Sequence, residues 1–283
     1  MKIAIASGKG GTGKTTIATN LASSISQTGQ KTQYLDCDAE EPNGHIFLKP
    51  DIEIREDVTV GVPDVDMDKC TGCGKCGQLC QYSAIICLKD KPMVFEQLCH
   101  SCGGCMAVCP ENAISEKQRK IGIAEFGKSN GMYFGHGKLN IGAIQTPALI
   151  KYVKNKANND CVTILDVPPG TSCPVIEAIK GSDFVLLVTE PTPFGLNDLE
   201  LAVGMVRELK LPFAVAINRS DIGDDAVVKY CQKEGIEIQL EIPNDRKVAE
   251  AYSRGIMMVD VLPKYKENFL NLFEQITEQV TVK

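Results

Sequence analysis

Residues 2–6, Lys-Ile-Ala-Ile-Ala, run directly into Ser7-Gly8-Lys9-Gly10-Gly11-Thr12-Gly13-Lys14-Thr15-Thr16, and an apolar-periodic stretch begins at Ile17. A short strand, a glycine-rich turn of the pattern G-x4-G-K-S/T and a helix, in that order, leave few folding options. The unit requires a parallel sheet with crossover helices. Glycine lets several backbone N–H groups converge on phosphate oxygens, and the helix that follows presents its positive end to them. In that pattern Lys14 neutralises the β- and γ-phosphates and Thr15 ligates Mg²⁺ through its hydroxyl.

The rest of the chain has the same alternation. Residues 17–28 read as a helix ending at Gly29, and 32–35 as a second strand closing on Asp36-Cys37-Asp38. Runs at 161–165, 184–188 and 213–217 are continuously apolar, as expected of strands buried on both faces. Helical stretches are expected at 147–157, 174–180, 196–210 and 224–234, and short strands forming a hairpin around Ser129-Asn130-Gly131. From Lys264 to Val280, Phe269, Phe273, Ile276 and Val280 share a helical face. The opposite face is not basic, which favours a core-packing helix over a membrane-surface one.

Thirteen cysteines stand in the chain, eight of them in one short stretch. With no signal-peptide architecture and no membrane-length apolar run, the chain is expected in the cytoplasm, where thiols stay reduced and metal binding is the natural use of such a cluster. Cys70-x2-Cys73-x2-Cys76-x3-Cys80 is followed by Cys99-x2-Cys102-x2-Cys105-x3-Cys109-Pro110. This is the doubled run of bacterial ferredoxins, in which the fourth cysteine of each run serves the other cluster. One 4Fe–4S cluster then takes Cys70, Cys73, Cys76 and Cys109, and the other takes Cys99, Cys102, Cys105 and Cys80. Zinc is the rival metal for C-x2-C pairs, but the double triplet-plus-one spacing favours clusters. The halves repeat beyond the ligands: Cys80-Gln81-Tyr82-Ser83-Ala84-Ile85 matches Cys109-Pro110-Glu111-Asn112-Ala113-Ile114, with Gln81 where the second run has proline. The chain thus divides into a first sheet portion (1–61), an inserted ferredoxin-like α+β module (62–118) whose folding is coupled to cluster binding, and a second sheet portion (119–283).

Composition narrows the partners. The net charge is −6, Trp is absent and aromatics make up 6%. Neither a basic surface nor an aromatic platform supports nucleic-acid binding.

The loop Lys9-Gly10-Gly11-Thr12-Gly13-Lys14-Thr15-Thr16 resembles the deviant Walker A motif of the MinD/ParA/nitrogenase-iron-protein superfamily, and the resemblance covers essentially the whole chain. Relatives carrying an inserted ferredoxin domain include the ATPases of the orange-protein complex. The resemblance implies that Lys9 reaches across an ATP-sandwiched homodimer (or a heterodimer with a paralogue) to the partner's nucleotide. It implies that Asp36 and Asp38 are switch I carboxylates assisting Mg²⁺, with Asp38 orienting the attacking water. Ile164-Leu165-Asp166-Val167-Pro168-Pro169-Gly170 resembles Walker B running into switch II, with Asp166 linked to the metal. Asn218-Arg219 and Pro243-Asn244-Asp245 resemble the segments that contact adenine and ribose.

Five cysteines remain. Cys87, Cys161 and Cys231 read as small buried hydrophobes, and Cys37 as a bystander beside the nucleotide. Cys173 lies in the switch II segment, where the nitrogenase iron protein ligates an intersubunit cluster; burial under the switch is the favoured role, an intersubunit metal ligand the other. His136 reads as a polar turn residue. The expectation is a slow, partner-stimulated Mg-ATPase coupling dimer closure to electron transfer or metallocluster assembly on a metalloprotein or redox client. The alternatives are a MinD-like positioning ATPase with structural clusters, and an iron–sulfur scaffold or carrier.

Overall fold

A computed structural model describes residues 1–281. Among the described residues there are eleven strands and eleven α-helices, alternating over most of their length. In the first half these are β1 (Lys2–Ala6), α1 (Lys14–Ser26), β2 (Thr32–Asp36), α2 (Gly44–Leu48), β3 (Asp51–Val65), α3 (Lys75–Leu79), β4 (Ile85–Leu88), β5 (Lys91–Val94), α4 (Gly104–Ala107), β6 (Ile114–Ser129) and β7 (Met132–Leu139). The second half comprises α5 (Thr146–Asn155), β8 (Val162–Asp166), α6 (Cys173–Ile179), β9 (Phe184–Thr189), α7 (Pro193–Glu208), β10 (Phe213–Asn218), α8 (Ala226–Glu234), β11 (Ile238–Ile242), α9 (Arg246–Ser253), α10 (Met258–Val261) and α11 (Lys264–Thr281).

Nine strands form one sheet in the order β11-β10-β9-β1-β8-β2-β7-β6-β3. Pairing is parallel from β11 through β7, and antiparallel for β7/β6 and β6/β3. The continuous apolar runs have the expected cause. Alternate residues enter opposite cores: Ala4, Leu35, Leu165, Val185, Leu187 and Val215 on one face, Ile3, Ile5, Ile164, Leu186 and Ala216 on the other. Helix α11 closes the second face with Tyr265, Phe269, Leu272 and Ile276 fully buried, Phe273 and Val280 packing at its margin. At about 1.5–3 kcal/mol per buried side chain, this is a structural helix. No helix among the described residues is long and apolar enough to cross a membrane.

The hairpin at Asn130-Gly131 is formed, with φ of 46° and 83° as a type I′ turn requires, but its strands are not short. β6 continues to pair with β3 from Asp51↔Lys128 out to Val65↔Ile114, a long ribbon. Its alternating Val58, Val60 and Val62 cover the sheet core, while its other face is charged. Beyond the ribbon, residues 66–113 carry α3, α4, the β4–β5 hairpin and all eight cysteines of the double run. Composition changes at the cysteines, yet strand pairing carries on through residues 62–65 and 114–118. The two halves of this segment repeat in backbone as well as sequence. Positive φ recurs at Gly72 and Ser101, at Gly74 and Gly103, and at Ser83 and Asn112.

Candidate functional site

β1 ends at the centre of the sheet and the loop 7–13 turns over its carboxyl end into α1. Gly11 and Gly13 take φ of 82° and 93°. Gly13 is the residue before the first turn of α1, and a Cβ there would strike the amide of Asn218; one at Gly8 would strike the Asp198 backbone. The loop is therefore held against β10 and α7, and the Asn218 amide donates to the Thr12 carbonyl at 3.0 Å.

A cleft of about 480 Å³ opens on this loop. One wall carries Gly10, Gly11, Gly13, Lys14, Thr15 and Thr16, with Asp38 and Pro169 beside them. The cleft is also lined by Asn218, Arg219 and Pro243-Asn244-Asp245, and by Tyr252 and Met258. Segments separated by more than two hundred residues thus meet in one cleft whose volume suits a nucleotide-sized ligand. Arg219 is held by Glu190 at 3.1 Å, and Asp245 caps α9 through the Lys247 amide at 2.8 Å. Tyr252, Val248 and Ala249 on α9 have no local signature and escape sequence reading; only the register of the last helices brings them here.

Other expected residues lie behind or beside the cleft. Gly8, Lys9 and Thr12 are not on its wall. Asp36 is fully buried and its carboxylate accepts the Gly44 amide at 2.9 Å and the Asp38 amide at 3.1 Å. Through these two bonds it holds the loop after β2, the expected switch I segment. Asp166 lies opposite Asp36 in register, is buried, and accepts the Tyr34 hydroxyl at 2.8 Å through Oδ2. Its Oδ1 is buried without a hydrogen-bond partner. Burial raises the Asp166 pKa against the lowering influence of Thr15 and Lys14. Burial also lowers Lys14, opposed by the charges of Asp166, Asp38 and Asp36. Asp38 is pushed up to about 6 by burial and by Asp166. Asp36, Asp38 and Asp166 thus crowd beside Lys14 and Thr15, and the orphan Asp166 oxygen with the Thr15 hydroxyl offers hard oxygen donors of the kind Mg²⁺ takes, directly or through water.

The eight cysteines ring two cavities. The first, about 20 Å³, is lined by Cys70, Cys73, Cys76 and Cys109, and the second, about 100 Å³, by Cys80, Cys99, Cys102 and Cys105. Each therefore takes three thiols from one run and one from the other. Backbone amides point at the sulfurs: Ser101 N–H at Cys99 Sγ, 3.4 Å, and Ala113 N–H at Cys109 Sγ, 3.3 Å. Burial raises the Cys80 thiol, but the amides of Ile85, Tyr82, Ala84 and Ser83 outweigh it and the pKa falls. Among the described residues no three His, Cys, Asp or Glu side chains close on a single-ion site. The thiols surround their cavities without meeting at one centre.

The remaining cysteines divide differently than expected. Cys37, Cys161 and Cys231 are buried, and burial raises the Cys231 thiol to about 11. Cys173 is exposed at the start of α6 rather than buried under the switch. Cys87 is only half-buried and lines the first cavity. His136 is no turn residue: it sits buried in β7 with Nε2 2.7 Å from Glu125, because the hairpin strands extend through it.

A glycine loop over the carboxyl end of a central parallel strand, with a nucleotide-sized cleft opening on it, defines a P-loop nucleotide-binding protein. The family described as CobQ/CobB/MinD/ParA nucleotide binding domain matches residues 3–259. The chain belongs to that family. An uncharacterized protein of Methanocaldococcus jannaschii is 31% identical over 276 residues, 96% of this chain and 97% of that one. A Pyrococcus horikoshii protein named iron-sulfur cluster carrier protein is 25% identical over 299 residues, covering 99% of this chain and 86% of its own length. Among solved structures, the septum site-determining protein MinD of Pyrococcus horikoshii, complexed with Mg-ADP, matches with a TM-score of 0.59 at 20% identity, over 99% of this chain and 97% of that one. That likeness is one of fold.

Proposed function

We propose that this protein is a cytoplasmic Mg-ATP-dependent ATPase that couples nucleotide turnover in the cleft to redox or metallocluster-assembly chemistry at two 4Fe–4S clusters. Lys14 and the loop amides bind the phosphates. Thr15 and the orphan oxygen of Asp166 hold Mg²⁺, directly or through water. Asp38, ionised, orients the attacking water, and Asn218, Arg219 and Pro243–Asp245 hold the base and sugar. Lys9, off the cleft wall of its own chain, serves the nucleotide of a second copy in a closed dimer. The ligand sets are Cys70, Cys73, Cys76, Cys109 and Cys80, Cys99, Cys102, Cys105. When bound, the clusters supply one-electron transfer. Thiols that surround a cavity suit a cluster with iron at each corner, whereas zinc draws its sulfurs to about 2.3 Å from one centre.

The observation that carries the coupling is a chain of contacts between the cleft and the second cysteine cavity. Asp38 lines the cleft. Two residues on, the Glu40 carboxylate accepts the Thr146 hydroxyl at 3.1 Å, and the carbonyl of Ala39 accepts the Leu139 amide at 2.8 Å. The neighbour of Thr146, buried Gln145, donates through Nε2 to the Cys99 carbonyl at 2.5 Å. A shift of the 38–44 loop on nucleotide binding is transmitted to Cys99 through two hydrogen bonds.

The test is EPR-monitored redox titration of anaerobically purified protein without nucleotide, with MgADP and with an MgATP analogue. A potential or line shape that changes only with the ATP analogue, and that Gln145→Ala abolishes while leaving nucleotide binding intact, is the expected result. Two cluster signals indifferent to nucleotide would refute the coupling. The cluster-carrier reading is favoured by the names of the relatives at 25% identity. Rapid transfer of iron and sulfide to an apo-ferredoxin would support it over the redox reading.

A further inference from the structure

Cys87, on β4, lies outside both cysteine runs, yet its Sγ is 3.7 Å from Cys76 Sγ. It lines the same cavity as Cys70, Cys73, Cys76 and Cys109. A cluster iron takes a single thiolate, and two sulfurs can be alternatives at it, each about 2.3 Å away, when they stand within about 4.6 Å of each other. The Cys76–Cys87 spacing is thus that of two thiols able to serve one iron corner.

The internal repeat supplies an independent observation. Seven residues after Cys80, a donor of the second cavity, the chain has returned to the first cavity at Cys87. Seven residues after Cys109, a donor of the first, it has returned to the second cavity at Glu116. The pseudo-twofold arrangement therefore builds one additional position facing each site. A carboxylate occupies it at the second site, exposed and engaged by the Gln118 amide at 3.2 Å. A half-buried thiol occupies it at the first.

We propose that Cys87 is a fifth thiol donor of the first cluster site, able to take the iron corner assigned to Cys76. This rests on the two-cluster reading above. The exchange is balanced without any redox partner: Cys87 gives up its thiol proton and binds iron, and the departing Cys76 sulfur takes up a proton. Five thiols around a four-corner site let the cluster persist through the loss or release of the Cys76 bond.

The experiment uses the full chain, reconstituted anaerobically with ferrous iron and sulfide, with iron content and EPR measured for wild type, Cys76→Ser, Cys87→Ser, Cys73→Ser and Cys76→Ser/Cys87→Ser. Wild type and Cys87→Ser should hold about eight irons per chain. Cys76→Ser should also hold about eight, with an altered EPR line shape, while Cys73→Ser and the double variant lose roughly half. A Cys76→Ser protein as depleted as the double variant would overturn the proposal. Wild-type protein with zinc, or with no more than about four irons, would instead overturn the cluster reading beneath it. A second measurement needs no variant. Diamide treatment of iron-free protein should oxidise the two thiols to a Cys76–Cys87 disulfide, diamide taking up two electrons and two protons. Peptide mapping that finds neither cysteine joined to the other would remove the proximity on which the proposal stands.

Discussion

Tyr34→Phe removes one oxygen atom from the centre of the sheet and nothing else. The ring is fully buried, stacked at 5.9 Å on Phe134, and the phenylalanine ring can occupy the same space. What is lost is the 2.8 Å hydrogen bond to Asp166 Oδ2. Because Asp166 Oδ1 already lacks a partner, the substitution leaves a buried carboxyl with neither oxygen hydrogen-bonded. A bond to a charged group contributes about 1.5–3 kcal/mol, and an orphaned buried acceptor incurs its full desolvation cost. The expected loss is therefore about 2 kcal/mol, or roughly 4–8 °C in Tm for a chain of this size. Urea and thermal unfolding followed by far-UV circular dichroism, in EDTA and without nucleotide, would measure it. The same substitution in an Asp166→Asn background isolates the pair, and about 1–2 kcal/mol of the loss should disappear there. A loss below about 0.5 kcal/mol, or an identical loss in both backgrounds, would refute the reasoning.

Gly13→Ala places a Cβ at φ 93° against the Asn218 amide. With about 1–2 kcal/mol for the left-handed conformation and about 1 for the displaced Asn218–Thr12 bond, Tm should fall by roughly 5–10 °C. Gly10→Ala, with open space around it, should unfold like wild type, and equal Tm values for the two variants would contradict this. Asp38 rises from 3.8 to about 6 in the folded protein. A carboxyl with a raised folded pKa binds its proton more tightly when folded, so its ionisation cost is complete above about pH 6 and fades toward pH 4. Metal-free wild type should therefore gain up to about 2 kcal/mol relative to Asp38→Asn between pH 8 and pH 4, after allowance for partial exposure. His45, lowered by burial and by His136, works in the opposite direction in both proteins, and a flat difference between them would reject the Asp38 assignment. Iron chelation should raise amide hydrogen exchange in residues 66–113 and leave β1, β8 and β9 protected; uniform loss of protection would show that the sheet depends on the clusters.

Much of the sheet was legible because its strands are buried on both faces, so β8, β9 and β10 appear as unbroken apolar runs. β3 is not among the expected strands, although Asp51-Ile-Glu-Ile-Arg-Glu-Asp-Val-Thr-Val largely alternates charged with apolar residues at a period of two. That alternation is the signature of a ribbon with one face on the core and was available. The turn of β6 and β7 was visible in Asn130-Gly131, but strand length was not, because pairing with β3 extends β6 to sixteen residues. Glycine-loop and cysteine positions are readable because their chemistry demands fixed local spacing. Tyr34 is different: its role depends on a partner 132 positions away and on the β2/β8 register. Asp36 and Asp38 look equivalent in sequence, and only the direction of the loop to Gly44 separates the buried carboxylate from the one in the cleft.

The crossed cysteine cavities have a consequence for how such a segment can change over time. Each half of the repeat contributes three thiols to one cavity and a fourth to the other. Deleting either half leaves one ring of three and a single stray thiol, never one complete site. The pair is thus indivisible as a heritable unit. A lineage can lose both sites together or alter single ligands, but it cannot shed one half and retain a whole site, and any descendant with a single site must have kept both halves of the chain.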